Sequence, residues 1–300
     1  MLKIAFSPVY IQPLPFGHRF PMDKYELLPE QLLYEGIVSD ENFFEPVPLD
    51  ESWILACHEK EYWEKLKTLS LSKSEIRATG FPLTASLIKR EVTIAGGSIQ
   101  AALFAIDHGI AMNIAGGTHH AFADRGEGFC LLNDIVMTAN YLIKNNLAQK
   151  ILVIDLDVHQ GNGTAKMCEL IAEIFTFSMH GAKNYPARKE HSDLDVELLD
   201  GTGDEQYLTI LEENLASILA RFTPDFIIYQ CGVDVLASDK LGRLGLSIEG
   251  VKRRDKIVLN LGLALQTPII CCMGGGYSSS IATIIDAHSQ VYRIAQELYF

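Results

Sequence analysis

Short apolar runs rich in β-branched residues alternate along the chain with longer stretches in which apolar positions recur every three or four residues. The runs predict strands near Leu2 to Phe6, Ile110 to Ile114, Ile151 to Leu156, Ile174 to Ser178, Asp225 to Gln230 and Pro268 to Met273. Shorter candidates near Glu45 to Pro48 and Val196 to Leu199 would extend the same sheet. Helical spacing covers Ser52 to Leu69, Leu83 to Asp107, Asn133 to Lys144, Asp204 to Arg221, Ile248 to Leu265 and Ser279 to Glu297. Asp204, after Gly201-Thr202-Gly203, can cap a helix start, and Gly109 after His108 can end one. Several strands are apolar on both faces, the pattern of a parallel sheet covered by helices on either side. The expected fold class is therefore α/β: one open, mostly parallel sheet of about eight strands with helices on both faces. No repeat, low-complexity tract or long linker divides the chain, so residues 1–300 are expected to form a single domain.

Polar clusters fall where these strands end, which is where ligands bind in open parallel sheets. The run Ile151 to Gly163, ILVIDLDVHQGNG, finishes in Asp155-Leu156-Asp157-Val158-His159. Period-two strand alternation points Asp157 and His159 the same way, able to share one divalent ion such as zinc, with Asp155 beside them as a supporting partner. After the strand at Ile110 comes Gly116-Gly117-Thr118-His119-His120. A single imidazole there would be an ordinary structural hydrogen-bonding group, whereas two adjacent ones on a glycine-rich exit point to acid–base work. Asp234, just past the strand ending at Gln230, is either a turn-forming Asp or a third metal ligand. Gly274-Gly275-Gly276-Tyr277 brings backbone close to a ligand and aims a phenol that can donate to a developing oxyanion. Neither GxGxxG nor GxxxxGK[ST] occurs, so the glycine triplet is not read as a phosphate cradle.

Composition narrows the picture without redirecting it. A chain of 300 residues, 48% hydrophobic and 21% charged, is long enough to bury roughly 75% of its unfolded surface. A net charge of -13 without clustered Lys and Arg argues against a nucleic-acid partner and fits a cationic one only weakly. The six cysteines form no CxxC pair and are expected to be reduced and structural. The opening residues MLKIAFSPVY lack a charged segment followed by a long apolar one, and no run approaches the ~18 apolar residues of a membrane span. The expectation is a cytoplasmic protein with no membrane partner.

Together, GGTHHA, DRGEGFCLLNDI, DLDVHQGNG, CGVDVLASDKLG and GGGY resemble the motifs of the histone deacetylase superfamily, the arginase/deacetylase fold, in the same order. HQGNG and SMHGAKNYPARKEHSDLDV are most similar to the class IV branch and its bacterial relatives. The resemblance implies that Asp157, His159 and Asp234 ligate one catalytic divalent metal, Zn2+ or else Fe2+ or another, with positions open to water and an acyl carbonyl. It implies His120 as the principal general base and acid, His119 as the neighbouring imidazole, and Tyr277 as the oxyanion donor. Asp155 would hold His119. Asn162 stands where many members carry Asp, so it would raise the pKa of His120 less than a carboxylate does.

The resemblance further implies that Gly126 to Cys130 lines a narrow acyl-lysine tunnel. Phe129 would form one wall and Tyr185 the facing wall, with the Gly128 carbonyl accepting the substrate amide N–H and Gly275 also touching substrate. A potassium ion (K+) near the backbone of Asp155, Asp157 and His159 and the side chain of Ser178 is implied as well, as is a product cavity in which Arg19 meets the leaving carboxylate. The implied reaction is hydrolysis of an N-acyl-lysine in a protein or peptide, or of a small acylated amine such as an acetylpolyamine. A binuclear ureohydrolase needs an acid at position 161, which is Gly161. A non-catalytic acyl-amine sensor is the alternative of another class, and the retention of all three ligands, both histidines and Tyr277 argues against it. Acyl length, oligomeric state and the natural amine are open at this level.

Overall fold

The computed structural model describes residues 1–300. Eight strands form one sheet: β1 (Lys3–Ala5), β2 (Phe43–Phe44), β3 (Ile110–Asn113), β4 (Ile151–Asp155), β5 (Ile174–Gly181), β6 (Leu194–Leu198), β7 (Phe226–Gln230) and β8 (Ile269–Cys272). Their order is β2-β1-β3-β8-β7-β4-β5-β6, and every pairing is parallel. Parallel neighbours need crossovers, supplied by α1 (Lys24–Tyr34), α2 (Glu51–Leu55), α3 (Lys60–Lys67), α4 (Lys73–Thr79), α5 (Ala85–His108), α6 (Asp134–Lys144), α7 (Asn162–Cys168), α8 (Asp204–Leu219) and α9 (Ile248–Leu265), while α10 (Ile281–Tyr299) follows the last strand.

The central strands β3, β8, β7 and β4 are buried along their whole length, which accounts for their apolar sequences, polar only at the final Asn113, Gln230 and Asp155. Alternate residues feed two cores. Leu152, Ile154, Ile227, Tyr229 and Ile269 join the cluster that holds α8, α9 and α10 residues, while Ile151, Val153, Phe226, Ile228 and Ile270 pack with α5 and α6 residues.

Several expected elements are corrected. The helix expected over Ser52 to Leu69 is two: after α2 the buried His58 ring is held by the Phe122 carbonyl (3.0 Å) and the Asn133 N–H (3.0 Å), and Glu59 restarts in an extended conformation. The strand expected at Glu45 to Pro48 falls instead at Phe43–Phe44, because Pro46 and Pro48 have no N–H for a ladder; Val47 is bound at both backbone groups by the Gln100 amide. Strand β6 begins two residues before the expected Val196 and ends at Leu198. Helices α1, α4 and α7 were not expected.

Candidate metal centre and active site

Strand β4 ends at Asp155, so Asp157 and His159 lie in the loop beyond it and strand alternation does not align them. Local hydrogen bonds do. The Asp157 N–H donates to Asp155 Oδ1 (3.2 Å), the His159 N–H to Asp157 Oδ1 (3.0 Å) and the Val158 N–H to Asp234 Oδ1 (2.9 Å). His159 Nδ1 consequently sits 3.0 Å from Asp157 Oδ1 and 3.1 Å from Asp234 Oδ2. One potential ligand atom from each of the three buried residues lies within 4.8 Å of the others. Asp157 Oδ2 is fixed from behind by Gln230 Nε2 (2.8 Å) and the Gly275 N–H (2.9 Å). Glycine is required at 275, where a Cβ would lie 2.1 Å from Asp234 Oδ2. Gly275 thus touches the carboxylates through its backbone.

The histidine pair is set by the turn after β3, where Gly116 and Gly117 both adopt positive φ. The Asp134 carboxylate at the start of α6 accepts from the Thr118 N–H (2.8 Å), Thr118 Oγ1 (2.6 Å) and Ser98 Oγ (2.5 Å), locking that turn. His119 Nδ1 faces Asp155 Oδ2 at 2.7 Å, and His120 Nδ1 faces Asn162 Oδ1 at 2.6 Å. The two geometries match while the electrostatics differ. Burial alone would depress His119, but the Asp155 and Asp157 charges outweigh it and hold the imidazole up at about 9. Burial first, then the charges of His119 and His159, push His120 well below the ordinary imidazole value. Burial and the Asp157 charge lift Asp234 to about 7. Tyr277 is pushed well up by burial, then by the Asp157 and Asp234 charges, so its phenol stays protonated.

A cavity of about 440 Å³ opens from the surface onto His120, His159 and Tyr277, with Gly128, Phe129 and Tyr185 among its walls. A second chamber of about 40 Å³ lies further in; His120, Phe129, His159 and Tyr277 line both. The Tyr185 ring stands perpendicular to that of His120 with centroids 5.0 Å apart, so it belongs to the pocket rather than to the core. Its hydroxyl donates to the Glu127 carboxylate. A Cβ on Gly128 would lie 2.5 Å from the His120 ring. Ser178 pairs with Asp155 across β5 and β4, and its Oγ shares a 2.9 Å hydrogen bond with His180 Nδ1.

Arg19 is not at the inner chamber. It lines the outer cavity, its guanidinium 5.0 Å from the centroid of the Phe129 ring, and the preceding His18 is stacked on Phe81 and bound through Nε2 to the Gly80 carbonyl (2.8 Å). The buried Arg90 lines the inner chamber instead, donating through Nε to the Tyr10 carbonyl (2.7 Å). Sequence reasoning also missed Asp134 and Arg254. Arg254 bonds the carbonyls of Leu156 (3.3 Å), Cys231 (3.2 Å) and Gly232 (2.6 Å), tying the β4 and β7 loops together. Its signal was present: Val251, Arg254, Asp255 and Val258 fall at helical spacing on a buried face, where an unpaired charge has no place. All six cysteines are free, and no helix is long and apolar enough to cross a membrane.

Comparisons with known proteins agree with this geometry. The family model for the histone deacetylase domain matches residues 18–292. The chain is 40% identical to an uncharacterised protein of Picosynechococcus sp. (strain ATCC 27264 / PCC 7002 / PR-6), with 99% of each chain covered. It is 30% identical to histone deacetylase 2 of Arabidopsis thaliana, over 89% of this chain and 72% of the relative. The crystal structure of the HDA15 HD domain superposes with a TM-score of 0.82 at 20% identity, covering 99% of this chain and 88% of the other, a likeness of fold. The chain belongs to the histone deacetylase family, whose members are hydrolases acting on amide bonds.

Proposed function

We propose that the protein is a metal-dependent amidohydrolase that removes the acyl group from a lysine side chain or a related acylated amine. The observation that carries the reading is the convergence of Asp157, His159 and Asp234 at the foot of a pocket that His120 and Tyr277 also line. The donor set suits a divalent cation: two buried carboxylates pressed against one imidazole repel each other unless a positive charge lies between them. Oxygen, nitrogen and oxygen donors fit Zn2+ or Fe2+, which Asp157, His159 and Asp234 would hold. When bound, such an ion polarises the amide carbonyl and lowers the pKa of a water toward ~7.

The remaining work falls to the chain. Because the Asn162 oxygen accepts from His120 Nδ1, the proton of a neutral His120 sits there and Nε2 is a free base. Neutral at physiological pH, it takes a proton from the attacking water and returns it to the departing amine. His119, held protonated beside Asp155, adds positive charge next to the developing oxyanion and the water. Tyr277 donates its hydroxyl to the oxyanion from the other side. Phe129 and Tyr185 clasp the aliphatic stem, and the Gly128 carbonyl accepts the substrate N–H. The same reading puts a structural K+ near the backbone of Asp155, Asp157 and His159 and the Ser178 side chain; the pairing of Ser178 with Asp155 across the sheet supports it.

Turnover of acetyl-lysine peptides, long-chain acyl-lysine peptides and acetylated polyamines by the zinc-loaded protein tests the reading. We expect hydrolysis of at least one class, with kcat reduced on the order of 10²-fold or more in Tyr277→Phe while metal content is unchanged. No turnover on any substrate, or near-normal turnover by Tyr277→Phe, contradicts it.

A further inference from the structure

We infer that the acylated amine taken by this site is anionic outside the tunnel, and that a collar of Arg19, Arg77, Lys183 and Arg243 selects it. The inference rests on the amidohydrolase reading and adds the chemistry of the part of the substrate left at the surface. The chain as a whole is acidic, with 38 Asp and Glu against 25 Lys and Arg. Yet the residues lining the outer cavity include these four cations and no carboxylate.

Each cation comes from a different segment, and all four line the one cavity: Arg19 precedes α1, Arg77 lies in the last turn of α4, Lys183 follows β5 and Arg243 precedes α9. All four are exposed. Few nearby carboxylates neutralise them. Asp200 is shared between Lys183 (3.7 Å) and Arg243 (3.4 Å). Glu127 is engaged by the Tyr185 hydroxyl and by Arg125 (3.3 Å). Arg19 rests over the Phe129 ring, and Arg77 Nε donates to the Lys73 carbonyl at 3.2 Å; neither makes an ion pair.

The collar is also braced. His18 ties the Arg19 segment to Gly80 at the end of α4, next to Arg77. Asn184 Nδ2 donates to the Leu241 carbonyl (2.7 Å), joining the Lys183 and Arg243 loops. The Asp239 carboxylate accepts from the N–H groups of Leu241 (2.8 Å), Gly242 (2.9 Å) and Tyr277 (2.6 Å), fixing the Arg243 loop to the backbone of the oxyanion donor. A cleft ringed by one sign of charge raises the local concentration of opposite charge and repels its own. A polycationic peptide or an acetylated polyamine meets repulsion here, whereas a carboxylate or phosphate close to the acylated nitrogen meets guanidinium groups built to bind it.

The test compares acetyl-lysine peptides identical except for flanking Asp/Glu, Ser or Lys/Arg, together with a small N-acetylated amine bearing a carboxylate and an acetylated polyamine. Both kcat/KM and binding by fluorescence competition are read at low and high salt, on the wild type and on Arg77→Glu/Arg243→Glu. We expect acidic peptides to exceed basic ones by on the order of tenfold or more at low salt. The ratio should shrink toward parity near 1 M salt, where the Debye length falls to ~3 Å, and invert in the double variant. Preference confined to the peptides assigns the anion to a protein segment; equal preference for the small carboxylate assigns it to a small substrate. Tighter binding of acidic ligands without turnover supports the collar and sinks the hydrolase reading. Equal or better handling of the basic peptide, or a ratio indifferent to salt, overturns the collar and leaves the hydrolase reading standing.

Discussion

Asn162 is the hydrogen-bond partner through which the basicity of His120 can be changed, beside burial and the charges of His119 and His159. His119 and His120 make nearly identical hydrogen bonds through Nδ1, 2.7 Å to a carboxylate and 2.6 Å to an amide, and their basicities move in opposite directions. Replacing Asn162 by Asp places a negative charge at the same atom and should raise the pKa of His120 by about one unit or more. A general base works only when neutral, so a raised pKa leaves it protonated at pH values where the wild type is active. The acid limb of the kcat/KM profile should therefore move to higher pH in Asn162→Asp, and an unmoved limb would show that His120 is not the base. The polar residues of this site were legible in the sequence because ionisable groups at the end of an apolar run are out of place there. Where Arg19 sits was not legible, because a loop has no periodicity to say where its side chains turn, and it lines the outer cavity.

Among the elements, α5 couples packing to the site. It approaches the Val47 segment so closely that a Cβ on Gly96 would lie 2.0 Å from the Val47 carbonyl oxygen, and two residues on Ser98 holds Asp134, which fixes the turn before His119. Helix propensity favours Ala over Gly by ~1 kcal/mol. Overpacking opposes it, and Gly96→Ala should destabilise by about 1–3 kcal/mol, read as a lowered denaturant midpoint; a raised midpoint would mean that the close approach does not constrain the helix. Long elements with strong periodicity, such as α5, α9 and α10, were readable to within a few residues. The short helices were not. Helix α1 carries Pro29 in its interior, which argues against a helix despite the helical spacing of Tyr25, Leu28 and Leu32, and α7 has only seven residues, too few for a clear apolar stripe. The break at His58 depends on bonds to Phe122 and Asn133, far along the chain, which no local pattern reveals.

For the whole molecule, the strand order β3-β8-β7-β4 brings together four loops that the sequence separates by up to about 160 positions, and it is this order that unites His119, Tyr277, Asp234 and Asp157. Alternating strands and helices made a parallel sheet legible, but which strands are neighbours depends on pairings distant in sequence, and the resemblance supplied what local patterning could not. The charge distribution shows the same limit: a net charge of -13 conceals a basic mouth assembled from four separate segments. Hydrolysis at a single-metal site held by Asp157, His159 and Asp234 can be followed by adding zinc to metal-free protein while monitoring acyl-amine turnover. Activity should rise with added metal and level off at one equivalent per chain, and Asp157→Ala should neither retain the metal nor turn over. Full hydrolysis by metal-free protein, a plateau at two equivalents, or an active Asp157→Ala variant would contradict it.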